Sequence, residues 1–378
     1  MKPIKELTVY TNGSARDYRT WSNVPFFFTE SLLDHGIQVN LVDINPYRLV
    51  EKFYNRTLRL GWKLFHRNTT YSYFRSSLRH ILTTAHIRKA IKQYPNSQAD
   101  IFLTYSFSPG QRSGRPVVLL SDWSYRYSIE YFRDRPPDLL EARSIAREDR
   151  HIEQADLVIT LFQSVADVMK QKYQNENIFC LGQAINAPSI EESNTLPEIK
   201  ARSFNLMFMG DAKYTEGLRV LLLAYELLKG SFPELTLTII GHDTSYLEPL
   251  PDGVMSYGYL DKSQAASRDL LFALFKQARI YVNTTPKWAG CSSILEALVY
   301  YTPVVVAPFH EIVRMFGKEK DFIIYCEDNS PNLLAERLRT LLQHPNFQVL
   351  ALRAHTAVKN MTWNSYVDRL LELMESTL

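Results

Sequence analysis

The stretch from Ile280 to Pro308, IYVNTTPKWAGCSSILEALVYYTPVVVAP, constrains the fold more than any other part of the chain. It opens on a β-branched and aromatic run, Ile280 to Thr284, and closes on a second, Val304 to Ala307. Between them a Pro-Lys-Trp-Ala-Gly loop leads through Cys291, Ser292 and Ser293 into Ile-Leu-Glu-Ala-Leu. This order predicts strand, loop, helix, strand, with Ser292 or Ser293 capping the helix. A parallel βαβ unit turns the helix N-terminus and its unpaired N–H groups toward the carboxyl edge of the sheet. There α/β proteins bind anions, phosphates above all. Glu296 falls three or four residues into the helix and is expected on the side of the loop rather than the core, as a ligand for ribose or sugar hydroxyls.

The chain of 378 residues is long enough for two domains with cores of their own. Three cysteines (Cys180, Cys291, Cys326) form neither a CxxC nor a metal-binding spacing, which fits a reducing compartment. The N-terminal MKPIKELTVYT has no signal-peptide core, and nowhere do about 18 apolar residues run together. The expected location is cytoplasmic, with room for a peripheral position on the inner face of the membrane.

Leu7 to Thr11 reads as a first strand ending in Asn12-Gly13-Ser14, where a glycine lets the backbone approach a ligand. No GxGxxG follows. Trp21 to His35 reads as a helix stopped by Gly36, and Gln38 to Ile44 as the next strand. Short apolar strands at Ile101–Thr104, Val117–Leu120 and Ala155–Thr160 continue the pattern. Ala187 to Ala201 is polar and contains proline, and marks a boundary. Beyond it, Asn205–Met209, a loop from Gly210 to Gly217, a helix from Leu218 to Lys229 and a strand at Leu235–Ile240 restart the alternation. The fold class is α/β, with two doubly wound domains. The expected divisions are 1–186, 187–361 and a terminal helix at 362–378.

Glu296-Ala297-Leu298 followed by Thr302-Pro303-Val304-Val305-Val306 resembles the donor-site signature of GT-B glycosyltransferases, in particular the retaining family-4 group. The resemblance covers most of 204–310 and extends more weakly over 1–186. It implies two Rossmann-like domains facing across a cleft, an N-terminal one for the acceptor and a C-terminal one for a nucleotide-sugar donor. The last helix is then expected to cross back to the N-domain. In the family a first acid holds the transferred sugar and a second the ribose; the first falls here at Trp288, which would cover the sugar with an apolar face, and the second at Glu296. The family's Arg and Lys on the donor diphosphate correspond to Asp211 and Glu216, leaving Lys213, and Lys287 from the facing loop, as substitute cations. The resemblance places Gly210, Lys213, His242, Trp288, Gly290, Cys291, Ser292, Ser293 and Glu296 at the donor, and Gly13 and Ser14 at the acceptor. Asp122, after Ser121 at a strand end, takes the place of the family's His-Asp and is the expected catalytic group together with Lys213. No cofactor beyond the nucleotide-sugar is expected, and the histidines and cysteines show no metal spacing.

Charge is spread unevenly. Residues 1–186 hold 25 Lys and Arg against 18 Asp and Glu, and Arg48–Lys92 alone holds eleven cations and one acid, Glu51. Basic positions 48, 52, 56, 59, 63 and 67 recur at helical steps, predicting a stripe with Leu49, Phe53, Leu60 and Phe65 off it. No helix-turn-helix, zinc or RNP-type pattern points to nucleic acid; an anionic membrane surface or an acidic acceptor fits better. The expected function is transfer of a sugar from a nucleotide-sugar to a glycan or lipid-linked acceptor in surface polysaccharide synthesis. Asp211, Glu216 and Trp288 support a second reading, a non-catalytic GT-B subunit that binds a partner or glycan. A sugar-nucleotide epimerase or a phosphorylase is a third.

Overall fold

The computed structural model of the protein describes residues 4–45, 47–109, 114–187, 192–247, 249–287, 291–318 and 320–378. The chain divides into two compact units, Met1–Gln183 with Trp363–Leu378, and Ala184–Thr362.

The first unit is built on β1 (Glu6–Thr11), β2 (Gln38–Asp43), β3 (Ala99–Phe102), β4 (Val117–Ser121), β5 (Leu157–Thr160) and β6 (Ile178–Cys180), in the order β2-β1-β3-β4-β5-β6. Every pairing is parallel. All residues of β3 and β5 are buried, as parallel strands must be when helices cover both faces. The order reverses between β1 and β3, so the loops leaving these strands open a crevice at the carboxyl edge. The helix expected from Trp21 begins at Val24 and runs to Asp34. Ahead of it Trp21, Ser22 and Asn23 hold φ of 37°, 53° and 72°, three left-handed residues in a row and none of them glycine. Such backbone costs roughly 1–2 kcal/mol per residue. The last helix, Trp363–Thr377, packs in this unit: Trp363 meets Phe28 edge-on at 6.0 Å, and Arg369 donates to the Leu181 carbonyl at 3.1 Å.

The basic band 48–92 is not one stripe. Helices Arg48–Arg56 and Leu58–Phe65 break at Thr57, where φ is −113° and ψ −80°. Beyond them Arg75 and Arg79 serve the domain itself. Arg79 is buried and donates to Asn45 Oδ1, Asn12 Oδ1 and the Ile44 carbonyl. Arg75 pairs with Glu148 at 2.9 Å. Leu49 and Phe53 are exposed alongside Lys52 and Arg56, so they stand among the cations and not off them. The side chains of Arg48 and Phe65 lie outside the described residues.

The second unit carries β7 (Asn205–Met209), β8 (Thr236–Ile240), β9 (Val254–Ser256), β10 (Ile280–Asn283), β11 (Val304–Val306) and β12 (Ile323–Tyr325), in the order β12-β11-β10-β7-β8-β9, again all parallel. The switch point lies between β7 and β10. Leu206, Phe208, Leu237, Ile239, Val282 and Val305 form the core with Leu218, Leu221 and Leu228 of the helix Thr215–Lys229. β6 and β12 were not expected from the sequence; both are three-residue edge strands, too short to show a period.

Two buried cations hold helix ends in this unit. Lys200, fully buried, donates to the Phe275 carbonyl, to the Ala278 carbonyl at 2.7 Å and to Thr302 Oγ1 at 2.6 Å, at the carboxyl end of the helix Ala265–Gln277. Burial alone pushes its pKa well down, yet three acceptors match the three N–H bonds of an ammonium. Arg279 likewise reaches the Ala201, Ser203 and Leu342 carbonyls. Lys200→Met fills the same space but orphans the Phe275 carbonyl and leaves Ala278 with a bond of 3.4 Å from Thr302. The expected loss is on the order of 2–3 kcal/mol in chemical denaturation, the cost of stranding buried acceptors.

Candidate functional site

At the switch point of the second unit, two loops are drawn together by residues too small to be replaced. A Cβ on Gly217 would lie 2.3 Å from Thr285 Oγ1, and one on Gly210 would lie 2.6 Å from the Tyr214 ring. The start of the helix Thr215–Lys229 therefore lies against the loop leaving β10, and Thr285 Oγ1 donates to the Tyr214 carbonyl at 3.3 Å. Asp211 accepts from the Lys213 N–H at 2.9 Å, capping the turn Ala212–Tyr214, and its other oxygen lies 3.5 Å from Lys213 Nζ. Lys213 is 57% exposed. Glu216 accepts from Asn329 Nδ2 at 3.1 Å, while Asn329 Oδ1 accepts from Thr284 at 2.9 Å. The acid in the family's lysine position is thus tied into the loop after β10. His242 is buried, its Nε2 2.9 Å from Thr215 Oγ1 and its Nδ1 2.8 Å from the Asp243 carbonyl. It links the end of β8 to the helix start.

The helix Cys291–Val299 begins one residue before Ser292. Ser292 and Ser293 therefore lie inside its first turn and do not cap it, and Ser293 Oγ is 2.7 Å from the Tyr281 hydroxyl. Cys291 is buried, and burial pushes its thiol up. Trp288 and Gly290 lie outside the described residues.

Glu296 departs from expectation: it faces inward. It is 2% exposed, and its Oε1 accepts from Lys262 Nζ at 2.8 Å, while Nζ also lies 3.3 Å from the Asn186 carbonyl. Burial raises the Glu296 pKa, and the Lys262 ammonium opposes the shift. Oε2 is buried with no hydrogen-bond partner among the described residues. The sequence reading missed Lys262, which sits in an aperiodic loop. The signal that points to it is indirect: a lone carboxylate in the apolar helix ILEALV needs a cation nearby.

In the first unit a cavity of about 330 Å³ opens at its own switch point, lined by Thr11, Trp21, Arg75, Tyr105, Asp122 and Glu148 among others. Asp122 Oδ1 accepts from the Trp123 N–H at 2.8 Å, and Oδ2 lies 3.4 Å from Trp21 Nε1. Burial raises its pKa, partly offset by these two donors. Arg75 stacks 3.7 Å over Tyr125 and binds both Glu148 and Ser106. Gly13 and Ser14 do not line this cavity. Gly13, with φ 110°, donates to Asp43 Oδ1 at 2.9 Å, and the Ser14 carbonyl accepts from Thr20. Trp21, Arg75 and Glu148 escaped the sequence reading because three separate elements bring them together. A larger surface groove of about 1160 Å³ borders β12 and Arg353, away from both switch points. Among the described residues no group of three His, Cys, Asp or Glu could hold a metal ion.

The family described as glycosyl transferases group 1 matches residues 203–344. No curated protein matches the chain in sequence. Several solved structures share its fold. Sucrose-phosphate synthase from Thermosynechococcus elongatus aligns with a TM-score of 0.68 at 12% identity, over 98% of each chain. Anabaena HepE in complex with UDP and glucose aligns with a TM-score of 0.64 at 14% identity, over 99% of this chain and 100% of its own. S. aureus TarM, in a complex with UDP, aligns with a TM-score of 0.56 at 16% identity, and the match spans 78% of this chain and 58% of TarM. The chain thus has the GT-B glycosyltransferase fold throughout, and its residues 203–344 match glycosyl transferases group 1.

Proposed function

We propose that the protein is a glycosyltransferase that moves a sugar from a nucleotide-sugar, held by the second unit, to a hydroxyl of a glycan or lipid-linked acceptor met by the first. The observation that carries this reading is Glu296 Oε2, a buried carboxylate oxygen with no hydrogen-bond partner among the described residues, on the helix that follows β10. A ribose hydroxyl is the donor it lacks. The diphosphate would lie against the N–H groups that open the helices Thr215–Lys229 and Cys291–Val299, with Lys213 alongside and no metal required. Transfer with retention follows the family resemblance of the donor signature. The domain bounds 1–186, 187–361 and 362–378 belong to the same reading.

The test is calorimetry against nucleoside diphosphates, UDP first because HepE and TarM were solved with it. Saturation at 100 times the dissociation constant should also add about 2.7 kcal/mol to stability. Lys213→Ala should cost about tenfold in diphosphate affinity, near 1.4 kcal/mol, and leave nucleoside binding unchanged. The figure sits low for a charge-assisted bond because Lys213 is solvated and shares its charge with Asp211. Equal loss for nucleoside and diphosphate would locate the damage in the loop and not in the charge. Asp211 and Glu216 in the diphosphate loop favour one rival, a non-catalytic glycan-binding subunit. Glycan binding with no nucleoside diphosphate binding would decide for it.

A further inference from the structure

The two short helices Arg48–Arg56 and Leu58–Phe65 present a face that the domain does not use. On the first, Leu49, Lys52, Phe53 and Arg56 recur at three- and four-residue steps and all are exposed, Leu49 by 80% and Phe53 by 71%. On the second, Leu60, Lys63 and Leu64 do the same, with Leu64 73% exposed. The opposite face is docked. Glu51 accepts from Asn45 Nδ2 at 3.1 Å, the Tyr54 hydroxyl meets that of Tyr71 at 3.2 Å, and Asn55 Oδ1 accepts from the Tyr73 N–H at 3.2 Å. The first of the two helices is therefore anchored through its polar and aromatic inner side, with Leu49 and Phe53 exposed on the other, and Leu60 and Leu64 are exposed on the second.

Two properties of this outer face identify its partner. It gathers large apolar side chains, which a surface selected only for solubility avoids. It also interleaves them with Lys52, Arg56 and Lys63, and the single acid between residues 47 and 68, Glu51, is held on the inner side. An apolar protein partner would satisfy the leucines and strand the cations. A nucleic acid would satisfy the cations and offer nothing to leucines. A bilayer containing anionic lipid satisfies both, with headgroup phosphates for the ammonium and guanidinium groups and the acyl boundary for the apolar side chains.

We propose that the outer face of residues 48–65 docks on an anionic lipid bilayer, Leu49, Phe53, Leu60 and Leu64 entering the headgroup–acyl boundary while Lys52, Arg56 and Lys63 bind lipid phosphates. The contact is interfacial: no described helix is long and apolar enough to cross a membrane. It does not depend on the transferase reading, since none of these residues is placed at either switch point.

Flotation of the full chain with phosphatidylcholine vesicles, with and without about 30 mol% phosphatidylglycerol, tests it. Binding to the anionic vesicles should exceed that to neutral ones by about tenfold or more and weaken with added salt. Exchanging Leu49, Phe53, Leu60 and Leu64 together for Gln should lower vesicle binding about tenfold or more with Tm unchanged, and so should exchanging Lys52, Arg56 and Lys63 for Glu. The proposal is overturned if the wild type ignores anionic vesicles at low salt, or if the glutamine variant binds them as the wild type does. It is overturned equally if the wild type is a dimer that the glutamine variant dissociates, since a second copy is then the occupant.

Discussion

Lys262→Met is expected to destabilise the protein by about 3–5 kcal/mol at pH 7, the cost of leaving one member of a buried ion pair alone. Among the described residues Glu296 has no other donor: Oε1 accepts from Lys262 at 2.8 Å and Oε2 from none. The helix around it is apolar, with Ile294, Leu295, Ala297 and Leu298 all fully buried. A carboxylate stranded there takes up a proton, which fixes the pH dependence. Burial already raises the Glu296 pKa against the ammonium, and removing the ammonium raises it further. Between the unfolded glutamate value of about 4.3 and that raised value, the native variant binds more protons than its unfolded chain, so its stability falls as pH rises. The defect should therefore shrink between pH 7 and pH 5 in urea denaturation. Glu296→Gln keeps a hydrogen bond to Lys262 but strands its charge, and should cost less because Lys262 also reaches the Asn186 carbonyl. It should nonetheless weaken nucleoside diphosphate binding, because the amide offers one acceptor where the carboxylate offers two. A Lys262→Met chain within 1 kcal/mol of wild type would show that water, and not the lysine, balances Glu296.

The fold was legible because parallel strands buried on both faces write themselves as short apolar runs, and each run expected between β1 and β11 lies on a strand. The loops were less legible. The Gly210 and Gly217 spacing is visible in the sequence, but not its reason, the approach of Tyr214 and Thr285 to within a Cβ radius. Glu296 stands out because one carboxylate in an apolar helix is chemically conspicuous. Lys262 does not stand out, since an aperiodic loop gives a lysine no direction. Trp21 reads in the sequence as an ordinary first turn, because left-handed backbone at three non-glycine residues leaves no trace in composition. The basic band misled for a similar reason: helical spacing counts cations, but it cannot tell that Arg75 and Arg79 are spent on Glu148, Asn12 and Asn45 while Lys52 and Arg56 are not.

Asp122→Asn is expected to lower kcat by about 10²–10⁴-fold, the range for loss of a positioned proton acceptor, with nucleoside diphosphate affinity unchanged. Asp122 sits on the rim of the first unit's cavity with Oδ1 taken by its neighbour's N–H. Among the described residues Oδ2 has only the indole of Trp21, at 3.4 Å, a distance at which the bond is weak and the oxygen still open to an acceptor hydroxyl. Burial makes this carboxylate a stronger base than a solvated aspartate. The strained turn Trp21–Asn23 then has a use: it places the indole against Asp122. Trp21→Phe keeps the ring and removes the N–H, so it should raise the Asp122 pKa and move the acidic limb of the kcat/KM profile to higher pH. Its effect on kcat should be far smaller than that of Asp122→Asn. Because the cavity belongs to the first unit and the nucleotide is assigned to the second, an Asp122→Asn chain with weakened diphosphate binding would place Asp122 at the donor. One with wild-type turnover would remove it from the reaction.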